Sequence, residues 1–545
     1  MTEQNGAHRT AAATGAARGG GTATEADTGT GAEAGTATGA GAEAGTSTGA
    51  EAGTATEAGT ATGTGAEVGT HTAAGIGART VPAAEGGPFR GGWADTRRAV
   101  PPLAGAPYAA KRRSALSERF PGERVVIPSG GLKARSNDFD YPFRPHSAFV
   151  HLTAELGTRA VPDSVLVFEP TGTGHAVTLF TRPRSPRDGG PRGTEFHSDR
   201  RYGEFWTGRR RTLAETSDEL GVEAAGRDGL ERALRGGVPT RVLRGVDARV
   251  DAAVPPRPRA DAELETFLSE SRLVKDVWET EQLRSAVEWT VAGFHDVAGE
   301  LRHAARLARG ERWIEGTFNR RARLGGYGLG FETIAAAGAH ACVLHWTRND
   351  GPVRDGDLLL LDAGVEADSF HTADVTRTLP VGGRFTDVQR RVYDLVHAAQ
   401  SAGIAALRPG ARFGDFHDAA MRVIAEGLDA WGLRPYGATA ATAEADLYRR
   451  YTVCGSGHML GLDCHDCAGA RREAYGDGVL EPGHVLTVEP GLYFQPDDLT
   501  VPEELRGIGV RIEDDFLVTA DGAECLSAGL PRGADEVEAW LAALR

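Results

Sequence analysis

The segment Asp357-Leu-Leu-Leu-Leu-Asp-Ala-Gly364, followed by His371-Thr-Ala-Asp-Val-Thr-Arg-Thr378, decides the fold prediction for this chain. Both stretches predict β-strands, and a hairpin between them places Asp362 and Asp374 on one face. An aspartate that closes a run of four leucines is expected to be buried. A buried carboxylate needs a cation or several hydrogen-bond donors. Either aspartate alone could instead cap a turn at a strand end, whereas the pair predicts a buried cation site in a sheet.

Three later segments each carry one further metal-binding side chain. His458 lies in the run Gly455-Ser-Gly-His458, where glycine lets the backbone approach a site closely. Glu489 ends an apolar strand, and the proline after it keeps the backbone extended and interrupts the strand ladder. Glu513 lies in a second apolar run, and Arg511, two residues earlier, shares its strand face. Taken singly, each glutamate is also typical of an exposed strand end.

Four carboxylates and one imidazole make an oxygen-rich ligand set, which consists of Asp362, Asp374, His458, Glu489 and Glu513. Such a set suits two divalent cations that share carboxylates better than a structural zinc ion, which favours thiolates and histidines. The Cys464-x-x-Cys467 pair also fits zinc or redox chemistry, but the chain has no second pair to complete a structural zinc site. We therefore expect these cysteines to line the site or to pack behind it.

Composition divides the chain into four regions. Residues 1–80 are mostly glycine, alanine, threonine and glutamate, which bury too little apolar surface to order a chain, so we predict a disordered acidic leader. Residues 81–109 predict a linker. Residues 110–258 alternate short strands and helices and predict an α/β domain. Residues 259–545 predict an α+β domain with two similar halves.

Hydrophobic periodicity predicts individual elements within these domains. In the first domain we expect strands at 125–127, 148–152, 165–168 and 176–180, and a helix at 228–234 that Asp228 caps. In the second we expect helices at 273–308, 387–407 and 413–431, and strands at 358–365, 371–379, 484–489 and 510–518.

Charge and cysteine content restrict the class of protein. The formal net charge is −15 at pH 7, which disfavours non-specific binding of nucleic acid. No apolar run is long enough to cross a bilayer, and the N-terminus lacks the pattern of a signal peptide. Five cysteines are a sparse, odd set that does not suit a disulfide framework. We therefore expect a cytoplasmic protein.

In this order, the five segments resemble the pita-bread metallopeptidases, specifically the aminopeptidase P (Xaa-Pro aminopeptidase) family and its relative prolidase. The resemblance covers residues 135–530 and begins at Arg135-Ser-Asn-Asp-Phe-Asp-Tyr-Pro-Phe-Arg144, which is similar to the start of the family's N-terminal domain. It implies a duplicated α+β pita-bread catalytic domain preceded by an α/β domain. It also implies the site residues: Asp362, Asp374, His458, Glu489 and Glu513 as metal ligands, His345 and His465 as substrate contacts, and Arg511 and Tyr493 beside the ligands.

The resemblance implies hydrolysis of the bond before proline in peptides that have proline at the second position. Two divalent ions would share a bridging hydroxide as the nucleophile; Mn²⁺ is expected first, and Co²⁺ or Zn²⁺ fits the same ligands. His465 would stabilise the oxyanion, Glu489 would carry a proton to the leaving nitrogen, and His345 would help to hold the peptide. The family also implies a homo-oligomer, either a dimer or a tetramer.

The chain departs from the family pattern at three positions. Asp362 and Asp374 are 12 residues apart, one more than is usual in the family. An extra turn residue or a bulge absorbs this difference, whereas a slip of register would turn Asp374 away from the site. Cys454 stands where the family often has a histidine, and His371 where it often has a tyrosine. We expect His371 to pack near the ligands rather than to bind metal.

Three other functions stay open. Prolidase performs the same chemistry on dipeptides only and needs a closed end to its substrate groove; the match to the N-terminal domain favours aminopeptidase P. A creatinase-like amidinohydrolase shares the fold but works without metals, and the intact ligand set argues against it. A non-catalytic binding module also shares the fold but typically lacks the ligands.

Overall fold

Apolar strands and amphipathic helices build an N-terminal α/β part and a C-terminal α+β part. The computed structural model describes residues 93–94, 98–187, 194–433, 448–453 and 455–544. The predicted disordered leader at 1–80 and the departure at Cys454 lie outside the described residues. No helix in the described ranges is both long and apolar enough to cross a lipid bilayer.

The N-terminal part is organised around one mixed sheet. Its helices are α1 (Ala106–Arg119), α2 (Ser147–Thr153), α3 (Glu195–Ser198), α4 (Glu204–Thr207), α5 (Leu213–Leu220), α6 (Leu230–Ala233) and α7 (Ala248–Ala253). Its strands are β1 (Arg124–Pro128), β2 (Ala134–Ser136), β3 (Phe139–Asp140), β4 (Val165–Thr171), β5 (Gly174–Thr181), β6 (Glu223–Gly226) and β7 (Thr240–Val242). The sheet has the order β6-β5-β4-β1-β7, with parallel pairs at its two edges. Strand β1 is buried along its whole length.

Two predictions for this part are wrong. The expected strand at 148–152 is helix α2, whose side chains are all buried. In an apolar run that is buried on every side, the spacing of apolar residues does not distinguish a helix from a strand. The expected helix at 228–234 begins only at Leu230, where Gly229 is the N-cap, and Asp228 lies in a preceding 3₁₀ turn without capping the helix.

The C-terminal part contains longer helices and several small sheets. Its helices are α8 (Pro258–Glu270), α9 (Val277–Ala304), α10 (Gly310–Gly325), α11 (Asp387–Ala406), α12 (Asp415–Ala430) and α13 (Ala534–Ala543). Its strands are β8 (Gly328–Leu329), β9 (Ile334–Ala337), β10 (Leu358–Ala363), β11 (Val365–Glu366), β12 (Val375–Pro380), β13 (Val485–Val488), β14 (Gly491–Tyr493), β15 (Gly509–Arg511), β16 (Asp514–Val518) and β17 (Ala523–Cys525). Side chains from α9 to α12 pack on β9, β10 and β12 to form the main apolar core.

Helix α9 is shorter than predicted because a capping box starts it. The Asp276 side chain accepts from the backbone of Glu279, and the Glu279 side chain accepts from the backbone of Asp276. The preceding residues pair elsewhere: Val274 bridges His484, and the Lys275 amide donates to the Gly483 carbonyl. Residues 273–275 therefore belong to the sheet side of the domain and not to the helix.

The hairpin of β10 and β12 keeps one register from end to end. Pairing runs from Leu358 opposite Pro380 to Ala363 opposite Val375, and an isolated bridge continues it at Glu366 and Thr372. The Ala367 amide donates to the His371 carbonyl, so three residues form the turn, of which Phe370 has a φ of 65°. The ladder is continuous without a bulge, although the regular strand begins at Val375 and not at 371 as predicted.

The expected strand at 510–518 is interrupted. It consists of β15, which pairs with β14, and β16, which pairs with β13 and β17. The residues at the break, Ile512 and Glu513, leave both ladders, and Glu513 forms an isolated bridge to Thr376 on β12 instead. This bridge connects the segment between β15 and β16 to β12, at the point where the predicted ligands meet.

Candidate metal centre

Strand register brings Asp362 and Asp374 together. Asp362, near the end of β10, pairs with Thr376, and Asp374 lies two residues before Thr376. Side chains two residues apart on a strand share a face, so the two aspartates are diagonal neighbours. Both are buried, with 8% and 4% of their surface exposed.

The strand break positions Glu513. Its Oε2 accepts a hydrogen bond from Thr376 Oγ1 at 2.7 Å, whereas its Oε1 is buried without a hydrogen-bond partner among the described residues. Asp362 Oδ1 is likewise buried and unpartnered in the described part of the chain. Buried carboxylate oxygens without donors are costly, so two such atoms in one site indicate a cation.

A glycine-rich loop holds His458 against β13. The loop pairs with the strand through Met459 and Leu486, and the His458 amide donates to Thr487 Oγ1 at 3.1 Å. The ring Nδ1 lies 3.2 Å from the Met459 carbonyl. This contact leaves Nε2 toward the carboxylates, 3.4 Å from Asp374 Oδ2 and 3.5 Å from Glu489 Oε1.

Arg511 donates three hydrogen bonds within the site, one of them to a carboxylate. Nη2 donates to Asp362 Oδ2 at 2.5 Å, Nη1 to the Tyr493 hydroxyl at 2.8 Å and Nε to Thr376 Oγ1 at 3.2 Å. Thr376 therefore accepts from Arg511 and donates to Glu513. These contacts set the orientation of two of the predicted ligands.

All nine predicted site residues line one cavity of about 490 Å³. The five predicted ligands, Arg511 and Tyr493 are buried or half-buried in its lining, whereas His345 and His465 are exposed. The ring centroids of His465 and His458 are 4.2 Å apart. The cavity is large enough for a short peptide beside the carboxylates.

The buried carboxylates perturb one another. Burial raises the pKa of Asp362 to about 7; Asp374 and Glu489 add to the rise, and Arg511 opposes it. Burial and the neighbouring carboxylates also raise the pKa of Glu489 and, more strongly, of Glu513. Burial acts in the same direction on Asp374, but hydrogen bonds from His458 and Cys464 outweigh it and lower its pKa. The site has more negative charge than its own cations neutralise.

A divalent cation fits these residues. Ligand atoms of Asp374, His458 and Glu513 lie within 4.8 Å of one another, and the two unpartnered oxygens belong to residues that line the same cavity. An oxygen-rich set with one imidazole suits a hard or borderline ion such as Mn²⁺, and it also accepts Co²⁺ and Zn²⁺.

Three contacting residues received no individual role from the sequence. Thr376 links Glu513 to Arg511, and strand alternation from Asp374 could have identified it. Asp515 accepts from the Asp374 amide at 3.1 Å. Cys464 donates from Sγ to Asp374 Oδ2 at 3.0 Å, and Cys467 is buried in a separate apolar cluster.

His371 is buried with its ring against Trp278, and its Nδ1 lies 3.1 Å from Ser369 Oγ.

Removal of metal is expected to make stability depend on pH. The pKa of Asp362 is raised to about 7 in the metal-free fold, so this fold binds more protons than the unfolded chain. Stability should therefore fall as the pH rises from about 4 through about 7. His458 extends this fall in stability to higher pH. Burial lowers its pKa, but hydrogen bonding to Asp374 favours the imidazolium form, and the net effect is a pKa of about 9. The lowered pKa of Asp374 has the opposite effect, because its contribution to stability is lost as the pH falls, but this happens only below the usual pKa of an aspartate.

The unfolding temperature of chelator-treated protein measures this effect. We expect it to be lower at about pH 8.5 than at about pH 5 by at least about 5 °C, and we expect Mn²⁺-loaded protein to lack this fall. An equal fall in both forms would show that the carboxylate cluster is not its cause.

Comparisons with known proteins identify the family. Residues 281–520 match Metallopeptidase family M24, and residues 109–235 match Aminopeptidase P, N-terminal domain. Xaa-Pro aminopeptidase 2 of Streptomyces coelicolor is 56% identical over 460 residues, which cover 83% of this chain and 95% of that protein. Xaa-Pro aminopeptidase of Escherichia coli is 32% identical over 458 residues, covering 80% and 97%.

The solved structures lead to the same family. Zinc-substituted E. coli aminopeptidase P in complex with product is 31% identical, with a TM-score of 0.69, over 82% of this chain and 99% of that chain. The predicted pita-bread fold with its N-terminal domain is confirmed. The chain belongs to the aminopeptidase P family of M24 metallopeptidases and is a peptidase that uses divalent metal ions.

Proposed function

We propose that this chain removes the N-terminal residue from peptides whose second residue is proline. The observation that carries the proposal is the meeting of five ligand-type side chains, two of them with unpartnered buried oxygens, in one peptide-sized cavity. The curated relatives, which are Xaa-Pro aminopeptidases, support the substrate class. The proposed ligands of two divalent ions, Mn²⁺ first, are Asp362, Asp374, His458, Glu489 and Glu513.

The protein positions these ligands before any substrate binds. When bound, two divalent ions supply Lewis-acid activation of water and of the scissile carbonyl. Arg511 holds Asp362, and Thr376 holds Glu513, so neither carboxylate has to reorient during the reaction. The Met459 carbonyl accepts from His458 Nδ1 and thereby selects the tautomer whose Nε2 lone pair faces the carboxylates.

Proton transfer and oxyanion stabilisation are assigned to cavity side chains. Glu489 Oε1 faces His458 beside the cavity, where it takes a proton from the nucleophilic water and gives it to the proline nitrogen. His465 Nε2–H or Nδ1–H donates to the oxygen of the attacked carbonyl. Burial lowers the pKa of His465, and His458 lowers it further, so it donates as a neutral imidazole. His345, which lines the same cavity, contacts the peptide.

Peptide length and sequence test the proposal. Chelator-treated protein reloaded with Mn²⁺ should release the first residue from an Xaa-Pro-Yaa tripeptide at least about 100-fold faster than from the matched Xaa-Ala-Yaa tripeptide. Chelation should abolish the reaction. Cleavage confined to Xaa-Pro dipeptides would replace the proposal by prolidase, and equal rates on the proline and alanine tripeptides would overturn the specificity for proline.

We propose that residues 110–258 form the N-terminal domain and residues 259–545 the catalytic domain, with Pro258 at the start of α8. Arg144, just before α2, and Ser147, its first residue, contact two of the segments that carry predicted ligands. Arg144 Nε donates to Glu366 Oε1 in the β10–β12 hairpin at 2.5 Å, and its Nη2 donates to the carbonyl of Leu462, which follows His458 in the glycine-rich loop. Ser147 Oγ donates to Asp463 at 2.5 Å.

Arg144→Ala should therefore lower kcat by at least about tenfold, because a small displacement of catalytic groups is costly. Arg135→Ala is the matched control, since Arg135 is exposed in the same N-terminal segment. Steady-state kinetics and bound-metal analysis of both variants check the prediction. Equal kinetics of the two variants would contradict it.

A further inference from the structure

A thiol lies directly against the carboxylate cluster. Cys464 Sγ donates to Asp374 Oδ2 at 3.0 Å, and the same oxygen lies 3.4 Å from His458 Nε2. Ligand atoms of Cys464, His458 and His465 lie within 4.8 Å of one another. Ligands of one ion are about 3–4 Å apart, because metal–ligand distances are about 2.0–2.3 Å. The sulfur is therefore within reach of an ion that binds Asp374 and His458.

An independent observation indicates a cation site in this cavity. Asp362 Oδ1 and Glu513 Oε1 are buried and unpartnered in the described part of the chain, and both residues line the same cavity as Cys464. The other cysteines that the structure describes, Cys342, Cys467 and Cys525, do not line it. Cys464 is thus the described cysteine that an ion at this site can reach.

We propose that Cys464 is a thiolate ligand of this metal centre and that it shifts the ion preference from Mn²⁺ toward thiophilic ions such as Zn²⁺ and Co²⁺. The inference rests on the proposed function, because it concerns the same centre. On binding, the S–H bond breaks, the sulfur electron pair forms a bond to the ion, and the proton leaves to solvent without any change of oxidation state. Soft thiolate ligands select zinc-type ions, whereas a site of carboxylates and one imidazole also suits manganese.

Light absorption tests the sulfur–metal bond without any measurement of activity. Co²⁺-loaded protein should show a near-ultraviolet thiolate-to-cobalt charge-transfer band, and Cys464→Val and Cys464→Ser should both lack it. Serine keeps a hydroxyl donor for Asp374, so it separates loss of sulfur from loss of the hydrogen bond. Cys525→Ala, which removes a thiol outside the cavity, should keep the band.

The affinities of the protein for Zn²⁺ and Mn²⁺ test the proposed ion preference. Cys464→Val should weaken Zn²⁺ binding by at least about tenfold and change Mn²⁺ binding by less than about threefold. A band that persists in both Cys464 variants, or equal weakening of Zn²⁺ and Mn²⁺, would overturn the inference while the peptidase proposal stands. Failure of the unaltered protein to bind any of these ions would overturn both.

Discussion

Asp374→Ala is expected to abolish peptidase activity, by at least about 10³-fold, and to remove bound metal. Asp374 is the hub of the cluster: one of its oxygens lies within 3.4 Å of His458 Nε2 and accepts from Cys464. The substitution removes a proposed metal ligand. The other carboxylates of the site then lose the side chain with which they would share an ion. Metal content after dialysis and kcat/KM on an Xaa-Pro-Yaa peptide check both effects.

The same substitution should weaken the pH dependence of stability in the metal-free protein. After burial, Asp374 is a main cause of the raised pKa of Glu513, and it also contributes to that of Asp362. Deleting its charge lowers both pKa values and removes the hydrogen bond that raises the pKa of His458, so the unfolding temperature of the metal-free variant should fall less between about pH 5 and about pH 8.5 than that of the metal-free unaltered protein. An equal fall in the two proteins would contradict this coupling.

Asp368→Asn is the matched control for this experiment. Asp368 lies in the turn of the same hairpin, but its side chain is exposed. We expect metal content, activity and unfolding temperature to stay unchanged. Retention of the full metal content by Asp374→Ala would exclude Asp374 as a ligand.

His465→Ala should lower kcat by about 10²–10³-fold, which is the usual effect of removing one oxyanion donor. Metal content should be unchanged, because His465 is exposed and is not one of the five proposed ligands. Its ring is 4.2 Å from that of His458, close enough to act beside a ligand. Pre-steady-state and steady-state kinetics with metal-loaded protein measure the effect on the chemical step.

His345→Ala provides the comparison, since His345 is an exposed histidine of the same cavity. We expect it to raise KM more than it lowers kcat, because its proposed role is to hold the peptide. Loss of metal from His465→Ala, or an effect on KM alone, would contradict the assignment of His465 to the oxyanion.

Much of the fold followed from local patterns. The strands at 358–365 and 484–489 and the helices at 387–407 and 413–431 were predicted to within one or two residues at most ends. Two failures occurred where tertiary contacts override periodicity: helix α2 is buried on all sides, and the run at 510–518 breaks where Glu513 meets Thr376. The start of α9 is set by a local signal instead, the capping box of Asp276 and Glu279.

The sequence by itself determined the family and the residues of the candidate site, because the types of the predicted ligands, their order and their strand contexts are local properties of the chain. Only the tertiary structure decided which groups touch the ligands. Cys464 and Asp374 are 90 residues apart, and Arg144 and Glu366 are 222 apart. Arg511 reaches Thr376 across 135 residues. Such contacts depend on how separate sheets and loops pack against one another, and no periodicity within a segment encodes that packing.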